Sequence, residues 1–380
     1  MIWIEQQSAA TNYIEDCVWA NLGSGPSADE AEVTVMGPGH GEAIVVHLGQ
    51  GEWLVVDSCT SAWDGTAQPA PLKYLRALGV PVASAVKLIV ASHWDSDHIQ
   101  GIATVLESCP GAEFCCSTTF TRREFTNFVS SMSLGATATD GANVSDFHRV
   151  LQILRSRGEP IIAATPGRKL FKKPIITSWS PSDFEEELFL NFVAQQHPKA
   201  GEPYRRAVPG SPNLTSVVIG IDWDDASVLL GADMESHPDV RRGWGAVVSR
   251  AKYIGFVRCG MVKVPHHGSH TGHDELMWTE LLNGRPISVI APFGKGPPQS
   301  RPPKPADVRR INGLSSSTFI TARRSTTKPM AKMSVSVRRS LREGMIRIYD
   351  SNTPLGIVRL RRKHGEKWKH ELFGGAVQAK

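Results

Sequence analysis

The apolar run Lys87-Leu88-Ile89-Val90-Ala91 ends in Ser92-His93-Trp94-Asp95-Ser96-Asp97-His98, which places two imidazoles and two carboxylates within six residues. A buried strand that terminates this way constrains the whole fold. Buried charge is costly unless it is paired or bound to a metal, so the chain must bring compensating groups to the same point. A turn leaving a strand can aim such closely spaced side chains together where a helix begins. Imidazole suits zinc, iron and manganese, whereas carboxylate suits harder ions and can bridge two. The stretch reads as half of a dinuclear metal site.

Two later stretches offer the other half. In Leu229-Leu230-Gly231-Ala232-Asp233-Met234-Glu235 an acid follows an apolar strand and two small residues, which leaves it free to reach a metal. An Asp at a strand end also serves as a turn or helix-cap residue. In Lys263-Val264-Pro265-His266-His267-Gly268-Ser269-His270 another apolar strand runs into three histidines within five residues, with a Gly for backbone freedom.

The pattern of elements predicts an α/β fold. Strands rich in β-branched residues are expected at 32–36, 43–48, 53–57 and 87–91, with helices near 72–78 and 99–107. A polar leader or loose cap covers 1–30. Residues 113–170, with helices near 122–132 and 145–155, read as an insertion or lid, a partner surface or a homodimer interface. The rhythm resumes with a strand at 174–179 and a helix at 182–195. A hairpin follows over 216–230, then a helix near 237–250, a strand at 260–264, a helix near 274–282, a strand at 286–291 and a helix near 306–312. Three short strands near 345–349, 355–361 and 367–373 fall in a basic region, 331–380, that completes a domain spanning 31–330. Two halves of this kind imply two mixed sheets packed face to face with helices outside, a four-layer αββα sandwich.

Composition narrows the class. With 41% hydrophobic residues the chain can bury a sizeable core, and no apolar run approaches the roughly 20 residues of a membrane span. The start, Met1-Ile2-Trp3-Ile4-Glu5, lacks a secretory signal, so a cytoplasmic protein with no membrane partner is expected. Six cysteines without CxxC spacing form neither a disulfide framework nor a zinc finger. The net charge of +5 is uneven: residues 301–380 hold 19 basic against five acidic residues, and the first 300 hold 23 against 32. An acidic body with a basic end suits either a polyanion such as nucleic acid or a solvated basic face.

Taken together, His93-x-Asp95-x-Asp97-His98, Asp233 and Lys263-Val-Pro-His-His-Gly-Ser269 resemble the metallo-β-lactamase fold hydrolases, and within them the branch typified by the hydrolase domain of ComEC DNA-uptake proteins. Gly37-Pro38-Gly39-His40-Gly41-Glu42-Ala43 matches that branch's Gly-rich turn ending in an acid, with support from Val55-Val56-Asp57-Ser58 and Asn213–Val218. The resemblance implies two divalent ions, zinc or manganese. One would be held by His93 and Asp95, the other by Asp97, His98 and His266, with Asp233 bridging. It implies Asp57 as an organiser hydrogen-bonded to ligands, and Asp97, Lys263 and His267 as catalytic groups, the last two stabilising or protonating an anionic substrate. Asp95 stands where His is usual in the superfamily, which favours harder ions. The middle histidine ligand found elsewhere has no counterpart, and Arg301–Pro305 replaces a His-Pro element.

Two metals sharing a hydroxide lower its pKa and clamp the oxyanion formed on attack, which serves phosphodiester, thioester and amide hydrolysis alike. The expected activity is a phosphodiesterase or nuclease that binds nucleic acid through its basic C-terminal region. The alternatives are a small-molecule hydrolase of a cyclic nucleotide, thioester or lactone, and a non-catalytic binding module with an incomplete site.

Overall fold

A computed structural model describes residues 18–37, 41–60, 68–127, 129, 142–196, 212–294, 301–322 and 355–380. Its first half gives β1 (Glu30–Gly37), β2 (Ala43–Gly49), β3 (Glu52–Val56), β4 (Val86–Ala91), β5 (Glu113–Ser117) and β6 (Ile162–Ala164). Next come β7 (Lys169–Phe171), β8 (Ile175–Ser178), β9 (Ile219–Asp222), β10 (Ser227–Leu230), β11 (Cys259–Lys263), β12 (Leu282–Ile290) and β13 (Ser317–Ile320). The last strands are β14 (Gly356–Lys363), β15 (Lys369–Gly374) and β16 (Val377–Gln378).

These make two eight-stranded sheets, ordered β15-β14-β1-β2-β3-β4-β5-β6 and β16-β13-β12-β11-β10-β9-β8-β7. Both are mixed: β3 to β6 run parallel, as do β10 to β13, and the remaining pairs are antiparallel.

Period-two alternation assigns the faces. Along β4, Leu88 and Val90 enter the core between the sheets together with Val228, Leu230, Met261 and Val289 of the second sheet. Ile89 and Ala91 face outward onto helices, as Leu229, Val262 and Ile290 do across the molecule. Strands buried on both faces need continuous apolar runs, which is what these sequences hold. The outer layer on the first sheet includes α1 (Ala70–Ala77), α2 (Ile102–Ser108), α3 (Ala142–Arg157) and α4 (Asp183–Gln196); that on the second includes α5 (Gly243–Ile254) and α6 (Pro305–Leu314). The architecture is the expected αββα sandwich.

Several local expectations need correction. The segment expected as an insertion, 113–170, supplies β5 and β6 to the edge of the first sheet, where β5 pairs with β4 and β6 with β5; its last residues enter β7 of the second sheet, and α3 packs Phe147, Val150 and Leu154 into the helical layer. Its blurred pattern has a physical cause: the short strands Glu113–Ser117 and Ile162–Ala164 carry too few alternating positions to announce themselves. The leader, in its described part, packs through buried Val18 and Leu22, and Arg359 and Arg361 donate to the carbonyls of Leu22 and Ser24. The helix expected at 99–107 is split at Gly101, whose φ of 85° no helix accommodates. The helix expected near 274–282 is present over 275–281, its Met277–Leu281 part wound as a π-helix, and the strand follows at once from Leu282. The strand expected at 345–349 and the turn residues Pro38–His40 lie outside the described residues.

The basic strand β14 runs antiparallel to β1, with Gly356 opposite Gly37 and Lys363 opposite Glu30. Seven strand steps carry it about 23 Å from one end of the sheet to the other. All four of its cations are paired: Arg359 with Glu371, Arg361 with Glu32, Arg362 with Asp225 and Lys363 with Asp29. Among the described residues no helix is long and apolar enough to cross a membrane.

Candidate metal centre

The parallel strands of both sheets deliver their C-terminal ends to one place. Asp57 follows β3, the Ser92–His98 motif follows β4, Asp233 follows β10 and His267 follows β11. A hydrogen bond from Val217 N to the Ser92 carbonyl, 2.8 Å, ties the first sheet's motif to the chain entering β9. On the other side Glu42 precedes β2, and its backbone N–H donates to the Asp97 carbonyl at 2.9 Å.

Three imidazoles are held alike. His98 Nδ1 lies 2.8 Å from Asp57 Oδ2, His93 Nδ1 lies 3.0 Å from Ser92 Oγ, and His267 Nδ1 lies 2.9 Å from the Ala291 carbonyl. Each outer nitrogen is therefore engaged, and each Nε2 points inward, buried and without a hydrogen-bond partner. The inward nitrogens converge on carboxylates. His267 Nε2 is 3.1 Å from Asp233 Oδ2 and 3.4 Å from Asp97 Oδ2, and His98 Nε2 is 3.4 Å from Asp233 Oδ2. His93 Nε2 stands 4.0 Å from both Asp233 and Asp95. Two overlapping groups have atoms spaced for a cation, Glu42–His98–Asp233–His267 and Asp57–His93–His98. Buried nitrogens and oxygens packed this closely without hydrogen bonding are what a divalent cation satisfies.

Asp57 organises this end of the site. It accepts from Ser92 N at 2.7 Å, from Ser92 Oγ at 2.6 Å and from His98 Nδ1, so one carboxylate fixes His98 directly and His93 through Ser92. Burial raises the Asp57 pKa above the ordinary carboxylate range despite these donors. Burial lowers His93 to about 3, helped by the charge on His98. For Asp97 and Asp233 burial pushes upward, but His98 and His267 outweigh it and both carboxyls fall below the usual range. His98 and His267 move the other way: burial would lower them, yet Asp233 and Glu42 hold both well above the ordinary imidazole value.

The sequence-based residues are distributed unevenly. His93, Asp97, His98 and Asp233 are buried together, and Asp95 stands at the mouth with its side chain 39% exposed. His267, expected as a substrate-facing group, occupies the position expected of His266. The His266 ring is turned away, with Nδ1 2.9 Å from both Glu235 Oε1 and Thr271 Oγ1. Both histidines adopt left-handed backbone, φ 45° and 54°, which rotates the second one inward. Lys263, expected to stabilise or protonate an anionic substrate, lies against Glu42. It is wholly buried, with Nζ 2.5 Å from Glu42 Oε1 and donating to the Ala232 carbonyl at 2.9 Å.

Glu42 was not among the expected site residues, although the Gly-rich turn before it carried the signal. Gly41 has φ 106°, and a Cβ there would sit 1.7 Å from the Asp97 carbonyl oxygen. Only glycine lets the turn press against the metal motif and place the acid that follows it.

No protein-family model matches the chain, and no curated protein matches it. Among solved structures it is similar to the metallo-β-lactamase fold protein YhfI from Bacillus subtilis, at 14% identity and TM-score 0.40, covering 78% of this chain and 97% of that one. It is also similar to MEM-A1, a subclass B3 metallo-β-lactamase from a soil metagenome library, at 14% identity and TM-score 0.34 over 66% of this chain and 83% of that one. The Rm3 metallo-β-lactamase gives 14% identity and TM-score 0.34 over 68% of this chain and 84% of that one.

Proposed function

We propose that the protein is a hydrolase dependent on two divalent cations, manganese or zinc, and that it cleaves phosphodiesters. The observation that carries this reading is the convergence of three buried, unpartnered imidazole Nε2 atoms on the carboxylates of Asp97 and Asp233. His93 and Asp95 would hold one cation, Asp97, His98 and His267 the other, with Asp233 between them. Charge supports the number. With the rings neutral, as ligands to a cation must be, five ionised carboxylates (Glu42, Asp57, Asp95, Asp97, Asp233) and one Lys263 leave a net charge of about −4, which two divalent ions would neutralise. Such ions supply Lewis acidity and lower the pKa of a water molecule.

The protein's own groups position and exclude. Asp57 and the Ala291 carbonyl fix the imidazoles in the tautomer that leaves Nε2 free to bind. Lys263 neutralises Glu42 from behind. Asp95 is the exposed member, so a substrate enters on its side. The phosphodiester assignment rests on the ComEC-like motifs.

A second reading, a small anionic ester, is favoured by one observation. The cations of β14 are paired with acids and lead away from the site, so these described residues lay no track for a long polyanion.

Purified protein supplied with manganese or zinc should hydrolyse bis(p-nitrophenyl) phosphate and degrade single-stranded DNA or RNA, with both activities lost in Asp97→Ala. Turnover of the small ester with nucleic acid left intact selects the second reading. No turnover and no metal by elemental analysis removes the hydrolase reading.

A further inference from the structure

The two loops that carry Asp233 and His267 are both strained. Ala232, His266 and His267 adopt left-handed backbone with φ of 45°, 45° and 54°, a region that non-glycine residues enter only when neighbours hold them there. The holding contacts centre on His266. Its backbone N–H donates to the Ala232 carbonyl at 3.0 Å. Its Nδ1 is 2.9 Å from Glu235 Oε1, which lies on the Asp233 loop, and 2.9 Å from Thr271 Oγ1. Its Nε2 faces Asn213 Nδ2 at 3.4 Å, and the same Asn213 amide donates to Glu235 Oε1 at 3.3 Å. Ser236 N donates to the Thr271 carbonyl at 2.8 Å just beyond. The ring thus joins three loops, those of Asn213, Asp233 and His267.

We propose that His266 and Glu235 form a clasp that keeps Asp233 and His267 at binding distance, so that His266 is a positioning residue for the cation and not one of its ligands. The inference rests on the metal-site reading above. With the clasp closed, His266 is pinned in its left-handed turn and His267 is carried inward, 3.1 Å from Asp233. With the clasp open, the turn relaxes and the pair separates. Outer partners of metal ligands characteristically contribute ten- to hundred-fold to affinity.

The test is titration of the full chain with cobalt(II), followed by visible absorption. Wild type should bind two equivalents. Glu235→Ala and His266→Ala should each weaken one equivalent at least ten-fold, and the double variant should weaken it no further than either alone. Glu235→Gln, which keeps an acceptor oxygen for the ring N–H, should bind nearly as wild type does. Circular dichroism and thermal unfolding establish that each variant is folded. If His266→Ala loses one equivalent while Glu235→Ala keeps both, His266 is itself a ligand and the clasp is wrong. Wild-type affinity in both alanine variants also overturns it and leaves the metal site standing. If wild type binds no cobalt, the metal site falls and the clasp with it.

Discussion

Lys263 Nζ lies 2.5 Å from Glu42 Oε1, and both side chains are sealed from solvent at the meeting point of the two sheets. Burial alone would depress the lysine pKa, but Glu42 and Asp233 raise it. In the structure this lysine is the counter-charge of buried acids, 2.5 Å from Glu42 and 3.6 Å from Asp233.

Removing that charge leaves buried Glu42 without its nearest cation, with only the His267 and His98 rings, 3.4 Å and 3.9 Å away, to balance it. Lys263→Met should therefore destabilise the protein by about 3–5 kcal/mol, read as a lowered midpoint in urea at constant slope. A loss below about 1 kcal/mol would mean that water reaches the pair.

Gly41→Ala should be among the most damaging single methyl additions. The new carbon meets the Asp97 carbonyl at 1.7 Å in a backbone region that disfavours side chains. A stability loss of roughly 2–4 kcal/mol is expected, together with loss of metal binding, because the turn that places Glu42 must back away. Unchanged metal stoichiometry in this variant would show that Glu42's position is immaterial.

His47 sets part of the acid limit of stability. Its Nδ1–H donates to the Glu30 carbonyl at 2.6 Å, and its Nε2 accepts from Gly51 N at 3.0 Å, so the neutral ring is the one that fits. Burial lowers its pKa, and the Glu30 carbonyl and the charges of Glu32 and Glu30 only partly offset this. The sign follows. A depressed imidazole binds its proton more weakly folded than unfolded, so its contribution is complete above about pH 6.5 and declines as pH falls toward the folded pKa. Urea midpoints between pH 7.5 and 5 should fall less in His47→Gln than in wild type. Parallel curves would contradict this.

Cations and protons should compete at the site. His98 and His267 are held well above the ordinary imidazole value by Asp233 and Glu42, so both carry protons near neutrality unless a cation takes their Nε2. Metal binding should release up to two protons, and apparent affinity should rise as pH is raised through and above neutrality. Calorimetry in buffers of differing ionisation enthalpy measures the release; a value of zero would mean that the rings bind as they stand.

The sandwich was legible because its central strands are buried on both faces and so appear as unbroken apolar runs, Leu88 to Ala91 being one of them. The metal motif was legible for a different reason: His93, Asp95, Asp97 and His98 sit within six residues of one turn. His266 and His267 could not be told apart, since which one faces inward is decided by two successive left-handed residues and by Glu235, which is distant in sequence. The strands Glu113–Ser117 and Ile162–Ala164 were missed because a strand of three to five residues is specified by the neighbour it joins more than by its own pattern.

The pairing of β1 with β14 has a consequence for how the protein is made. Glu30 to Gly37 lie between β2, which follows within a few residues, and β14, which is synthesised after almost all of the other described strands. Until then β1 presents an open hydrogen-bonding edge and the apolar face of Val33 and Val35 lacks Val358 and Leu360 beside it. The nascent chain must therefore wait on the ribosome with an unfinished sheet, and a ribosome stalled before residue 356 would hold an aggregation-prone intermediate in place of a smaller working domain.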